Sequence, residues 1–194
     1  LGAFLPMFTL IMSSGVYDIP NIETAARSVV TNTTPTEAYR GAGRPEAALT
    51  IERAVDMFAA EIGMDTAEIR RKNYLQAKDF PVSTAVGTEY DSGDYEKSLE
   101  LALQAAGYSD LRTEQTKRRE NGEVVQLGIG IATYVEITAG PAPGGAEYGK
   151  VEITSEGKAR VYSGSLSHGQ SHQTTFAMIA ADQLGMDIED IELI

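Results

Sequence analysis

The chain has no cysteine. Disulfides are therefore excluded, as are iron–sulfur clusters held by thiolates of this chain, and the composition fits a reducing cytoplasm. Basic residues are scarce as well: 16 lysines and arginines stand against 28 acidic residues, a net charge of −12. That balance argues against a nucleic-acid partner, whose phosphates would be repelled without a basic face. Long hydrophobic runs are missing too. The opening apolar run from Leu1 to Met12 is broken by Pro6 and has no basic flank. It reads as a core helix of a longer protein, neither a membrane span nor a signal peptide. Internal repeats and low-complexity tracts are absent. Gly128-Ile129-Gly130 lacks the third glycine and the following helix of a dinucleotide-binding turn, and reads as a glycine-relieved strand.

What remains is an ordinary globular composition over 194 residues, 42% hydrophobic and 23% charged, enough for one domain or two small ones. Ile22 to Thr33 is β-branched and predicts a strand, bounded by Pro35. Ala47, Ala48, Ile51, Val55, Phe58 and Ile62 repeat at helical spacing, and predict a helix over about 45–62 that stops at Gly63. Asp65-Thr66-Ala67-Glu68 has capping-box spacing and starts a second helix through about Leu75. In it, Arg70-Arg71-Lys72 reads as a solvated face. Residues 77–93 read as a loop or linker, Asp94 caps a third helix up to Gly107, and 109–122 reads as an exposed helix. Val124 to Thr138 alternates, with Ile129, Ile131, Thr133, Val135 and Ile137 on one side, and predicts a strand on which Glu136 is structural. Two further strands over 147–153 and 158–163, a loop over 141–145, a helix over 174–184 and a strand begun at Ile191–Ile194 complete a mixed order. Without regular βαβ alternation the class is α+β.

Two stretches invite chemistry. In Ala38-Tyr39-Arg40-Gly41-Ala42-Gly43-Arg44-Pro45-Glu46-Ala47, glycines two apart allow a sharp turn and Pro45 sits where a helix starts. Such a turn can aim N–H groups and guanidinium forks at a bound anion. Equally, its arginines could pair with local carboxylates such as Glu37 or Glu46. The second stretch, His168-Gly169-Gln170-Ser171-His172, lies between a strand and a helix, and Gln170 offers both donors and acceptors. Histidines four apart could hold zinc on one helical face. Here Gly169 interrupts the helix, and the glutamate of the zinc-protease pattern is missing.

Tyr39-Arg40-Gly41-Ala42-Gly43-Arg44-Pro45-Glu46 resembles the signature of the molybdenum-binding large subunits of the xanthine dehydrogenase, aldehyde oxidase and carbon monoxide dehydrogenase family. Tyr17-Asp18-Ile19-Pro20-Asn21, Arg70-Arg71-Lys72-Asn73 and Ser167-His168-Gly169-Gln170 resemble that family in the same order, so the likeness runs over nearly the whole chain. The resemblance implies parts of two mixed α+β molybdopterin-binding domains, over residues 1–88 and 89–194. It implies a molybdopterin cytosine dinucleotide cofactor with molybdenum, contacted by Arg40, Gly41, Ala42, Gly169 and Gln170. FAD-binding and 2Fe-2S subunits or domains would carry the electrons away from a small-molecule substrate. Family members usually have Gly at the position of Ser171 and Glu at that of Gln173.

In members that oxidise carbon monoxide at a copper–molybdenum site, a cysteine occupies this turn. Gly41 therefore points to hydroxylation of an aldehyde or N-heterocycle, with water as the oxygen source. Neither the glycine-rich segment that precedes this region in the family nor its late catalytic glutamate is found here. No residue of the chain is assigned to catalysis or to a metal, and the chain alone is expected to be inactive and free of cofactor. The alternative is a non-catalytic subunit-interaction module that uses the acidic surface and the apolar N-terminus.

Overall fold

Wherever the sequence joins an apolar stripe to a capping residue, a helix forms. The structure is a computed structural model that describes residues 4–35, 37–137 and 148–194, so the loop expected over 141–145 lies outside the described residues. Two compact units are present, Leu1–Glu136 and Ile137–Ile194.

The first unit holds α1 (Phe4–Leu10), α2 (Arg44–Glu61), α3 (Thr66–Asn73), the two-residue strands β1 (Val82–Ser83) and β2 (Glu89–Tyr90), α4 (Tyr95–Ala106) and α5 (Tyr108–Glu120). Asp65 caps α3 by accepting from the N–H groups of Ala67 at 2.8 Å and Glu68 at 3.3 Å, and Asp94 caps α4 through Lys97 N–H at 3.1 Å. Gly107 ends α4 in the left-handed conformation. The core is small and rich in tyrosine: Tyr17 stacks on Tyr74 with ring centroids 5.6 Å apart, and Tyr95 packs between Tyr74 and Phe80. Each such pair adds about 0.5–1.5 kcal/mol beyond its buried area. Around the stack, Val16 C=O accepts from Leu75 N–H and Asn73 C=O from Asp18 N–H, which ties the segment after α1 to the end of α3. The linker region 77–93, read as a loop, carries a 3₁₀ turn at Ala77–Asp79 and the β1–β2 hairpin.

Three expectations for this unit are corrected. Arg70 is not on a solvated face but fully buried. Its guanidinium pairs with Glu52 on α2 at 2.8 Å and with Asp56 at 3.0 Å. Burial alone would lower its pKa, yet the hydrogen bond and charge of Glu52 outweigh that and hold the pKa above its ordinary value. Ile22–Thr33 forms no ladder among the described residues, and Val30 is 99% exposed. β-branched residues favour extended backbone, but a strand also needs a partner edge and a face to bury, and here this segment has neither. Residues 124–137 likewise enter no ladder, although the predicted alternation is kept: Ile129, Ile131, Thr133 and Val135 are half-buried while the residues between them are exposed. Side chains hold this segment instead. Gln115 donates to Leu127 C=O at 2.9 Å, Arg70 to Ile131 C=O at 2.8 Å, and the Tyr74 and Thr133 hydroxyls meet at 2.7 Å.

The second unit is a three-stranded sheet with one helix. β3 (Gly149–Ile153) pairs antiparallel with β4 (Ala159–Ser163), and β5 (Ile191–Leu193) joins the other side of β4 in parallel after α6 (His172–Leu184). Small residues make the helix–sheet contact, Ala177 and Ala180 from α6 and Ala159 from β4. On α6, Ala177 and Ala180 are buried, while Ile179 is 62% exposed. The opposite sheet face is polar, with Lys150, Glu152 and Tyr162 in mutual contact and Arg160 paired with Glu192 at 3.0 Å.

Candidate functional site

The glycine turn stands at the start of α2. Gly41, Ala42 and Gly43 have φ of 100°, 44° and 91°, three successive residues in the region where side chains are strained. Close packing explains the glycines. A Cβ on Gly41 would lie 2.5 Å from Pro45 Cγ, and one on Gly43 would lie 2.6 Å from Leu5 C=O of α1. Ala42 N–H donates to Tyr39 C=O and Arg44 N–H to Gly41 C=O, whereas the N–H groups of Gly41 and Gly43 have no acceptor among the described residues.

The two arginines of the turn part company. Arg40 is exposed, and its side chain makes no hydrogen bond or ion pair among the described residues. Arg44 folds back: its Nη1 donates to Ala42 C=O at 3.2 Å and to Gly41 C=O at 3.4 Å, and its guanidinium lies over the Phe8 ring at 4.5 Å. Its buried Nε stands 3.3 Å from a Glu136 carboxylate oxygen, close enough for an ion pair but not aligned as a hydrogen bond. Local pairing with Glu37 or Glu46 is thus not what holds these arginines. Nothing in the sequence marks Glu136 or Phe8 as a partner of this turn. The alternation of 124–138 places Glu136 on the outer row but carries no sign of Arg44.

Beneath the turn, α2 is fastened to α3 by the buried ionic cluster. Tyr17 donates to Glu52, and Arg70 donates to Glu52 Oε2 at 2.9 Å and to Thr66 C=O at 2.8 Å. Burial, reinforced by the Glu52 carboxylate, pushes the Tyr17 phenol far above its ordinary pKa, so it stays a neutral donor. A cavity of ≈ 370 Å³ in the same unit opens between α4, α5 and the backbone of residues 127–132, and none of the predicted site residues lines it.

The second turn belongs to the other unit. Gly169 has φ 99° and Ser171 φ 60°, so Ser171 holds a conformation that glycine takes more easily. Ser171 begins α6 without a side-chain cap, its C=O accepting from Thr174 and Thr175 N–H at 2.9 Å. Gln170 is exposed and its Oε1 accepts from His168 N–H, which leaves its NH₂ as the free function. His168 is exposed, and His172 stacks on Phe176 with centroids 4.5 Å apart. The structure therefore places Arg40, Gly41 and Ala42 together on one turn, and Gly169 and Gln170 together on another.

These residues fit an anionic, pterin-type ligand at the first turn, through two N–H groups without acceptors among the described residues and an unpaired guanidinium. A family model described as "Molybdopterin cofactor-binding domain" matches residues 1–74, and a second of the same description matches residues 101–194. Among curated relatives, the carbon monoxide dehydrogenase large chain of Hydrogenophaga pseudoflava is 40% identical over 191 residues, covering 93% of this chain and 24% of its own length. Among solved structures, the Cu,Mo-CO dehydrogenase in its carbon monoxide reduced state superposes with a TM-score of 0.86 at 33% identity, covering 95% of this chain and 25% of the other. Quinoline 2-oxidoreductase from Pseudomonas putida 86 gives 0.85 at 30% identity, covering 97% and 25%. The chain thus spans about a quarter of the length of the relatives it matches.

Proposed function

Because the chain belongs to the molybdopterin-binding large-subunit family of carbon monoxide dehydrogenase and xanthine dehydrogenase, we propose that it is a segment of a molybdenum hydroxylase that oxidises an aldehyde or N-heterocycle with water as the oxygen source. The observation that carries this choice is Gly41. The resemblance places a cysteine at this turn in members that act on carbon monoxide. Here the residue has φ 100°, and a Cβ would lie 2.5 Å from Pro45. No other cysteine of the chain could take over, since there is none.

In this reading the cofactor is molybdopterin cytosine dinucleotide with molybdenum. When bound, it supplies the redox chemistry of the hydroxylation. The residues of this chain position it. Arg40 supplies the unpaired cation, and Gly41 and Ala42 let the backbone come close; in the second unit, Gly169 and the Gln170 NH₂ are the groups assigned to cofactor contact. The catalytic glutamate is assigned to another part of the full-length subunit, so these 194 residues alone are inactive. FAD-binding and 2Fe-2S partners take the electrons, in the cytoplasm.

The test is Arg40→Ala in the full-length enzyme, with pterin content and turnover measured together. At least a tenfold fall in one of them is expected. Full pterin content together with full turnover refutes the assignment of Arg40. A substrate screen checks the chemistry separately: copper-dependent turnover of carbon monoxide would overturn the hydroxylase reading.

A further inference from the structure

We propose that Glu136 is a positioning residue for the glycine turn, acting through Arg44. Its carboxylate commits the Arg44 guanidinium to the turn's own carbonyls and so leaves Arg40 as the cation that meets the ligand. The proposal rests on the reading of this turn as a cofactor cradle, and its argument is geometric.

Arg44 is tethered in three directions: to the C=O groups of Ala42 and Gly41, to the face of Phe8, and to Glu136. The two carbonyl bonds, at 3.2 and 3.4 Å, are long for hydrogen bonds and would not alone fix a long side chain. Phe8 fixes the plane of the guanidinium but not its rotation within that plane. The carboxylate at 3.3 Å from Nε supplies the missing direction. Arg44 is only 16% exposed and Glu136 42%, so this pair is screened less than two free surface charges.

Glu136 can serve because its own backbone is held in place. The segment before it is anchored by Gln115 at Leu127, by Arg70 at Ile131 and by Tyr74 at Thr133. Two of those anchors arise from α3 and the residue that follows it, and Arg70 also grips Glu52 of α2, the helix that the turn opens. The carboxylate and the turn are thus referred to one buried cluster. A second consequence is electrostatic. With Arg44 neutralised by its partner, the positive charge offered at the turn is that of Arg40, at one defined place.

The experiment compares Glu136→Gln, Arg44→Gln and the double variant in the full-length subunit. Hydrogen–deuterium exchange of the peptide covering residues 38–47 is read in cofactor-free protein, and pterin content after maturation is read in parallel. Glu136→Gln is expected to speed exchange of that peptide at least fivefold and to lower pterin content at least threefold, with the melting temperature essentially unchanged. In the Arg44→Gln background the same change should add nothing, because the interaction it removes is already gone. Glu136→Asp should recover part of the protection.

Unchanged exchange in Glu136→Gln overturns the proposal, and so does an effect that persists undiminished when Arg44 is glutamine. The cofactor reading fails differently. If Arg40→Ala keeps full pterin content while Glu136→Gln still loosens the turn, the clamp stands and the cradle does not. If Arg40→Ala loses pterin while Glu136→Gln changes nothing, the reverse holds.

Discussion

Two glycine-bearing turns open helices in this chain, and they are held in opposite ways. The turn at 41–43 is held from outside its own sequence: α1 presses on Gly43, Phe8 covers Arg44, and Glu136 arrives from the end of an extended segment. Among the described residues, the turn at 168–171 is held from within, by His168 N–H on Gln170 and by Ser171 C=O on the first N–H groups of α6. Long-range contacts make a turn rigid because several elements must move before it can. Short-range bonds can be exchanged one at a time. The first turn is therefore fixed in a preset place, whereas the Gln170 side chain of the second can be re-aimed at the cost of one bond.

The contrast breaks first at Arg70. Replacing it with Met leaves Glu52, only 4% exposed, as a buried charge without its partner. Removing one member of such a pair costs about 3–5 kcal/mol. Urea unfolding should record that loss, and hydrogen exchange should rise at residues 38–47 while residues 166–172 keep their rates. Equal loosening of both turns would show that the effect is not specific to the first, and unchanged exchange at 38–47 would show that the first does not depend on the cluster.

The two backbones should answer substitution with opposite signs. Gly41→Ala must place a side chain at φ 100° and against Pro45. The backbone strain costs roughly 1–3 kcal/mol before the ring contact is counted. Ser171→Gly relieves a left-handed residue, a gain of roughly 1–3 kcal/mol, less about 0.4–1 kcal/mol for the extra freedom of glycine in the unfolded chain. A net stabilisation of about 1 kcal/mol is expected, read as a shift of the denaturation midpoint. A destabilising Ser171→Gly would mean that the serine side chain contributes something its hydrogen bonds do not reveal.

What could be read from the sequence was what is decided within a few residues. Asp65 and Asp94 announce their helices because a cap acts over two or three positions, and Gly63 and Gly107 end theirs for the same reason. The alternation of 124–137 foretold which side chains turn inward, since the pleat is local. It did not foretell that side chains, not a neighbouring strand, would take the backbone bonds, because pairing is settled by distant chain. Arg70 was misplaced for the same reason: its partner Glu52 is 18 residues away, and nothing in Arg70-Arg71-Lys72 separates the buried arginine from the exposed ones. At the first turn the glycines that the motif marks are packed against Pro45 and α1. That Arg44 folds back beside Glu136 while Arg40 stays exposed is not legible there, because only the folded chain brings Glu136 near.

The smallest effect concerns how helices are begun. α2, α5 and α6 start without a side-chain cap, at Gly43, Gly107 and Ser171, whereas α3 starts at a charged one. If a bare N-terminus is what leaves the two turns open to a ligand, the cap at Asp65 should be worth its ordinary amount and nothing more. Burial by itself would raise the pKa of Asp65, but the Tyr108 hydroxyl at 2.9 Å, the Ala67 and Glu68 N–H groups and Arg112 together hold it below the usual carboxylate value. A depressed folded pKa stabilises above the unfolded value of about 3.9, and that contribution drains away as the pH falls through the folded one. Asp65→Ala should therefore cost about 1 kcal/mol in denaturant unfolding at pH 7. The same substitution measured at about pH 3, below the unfolded value, should cost distinctly less. A penalty that did not shrink in acid would mean that the carboxylate charge is not what holds the start of α3, and the contrast with the uncapped helices would lose its electrostatic basis.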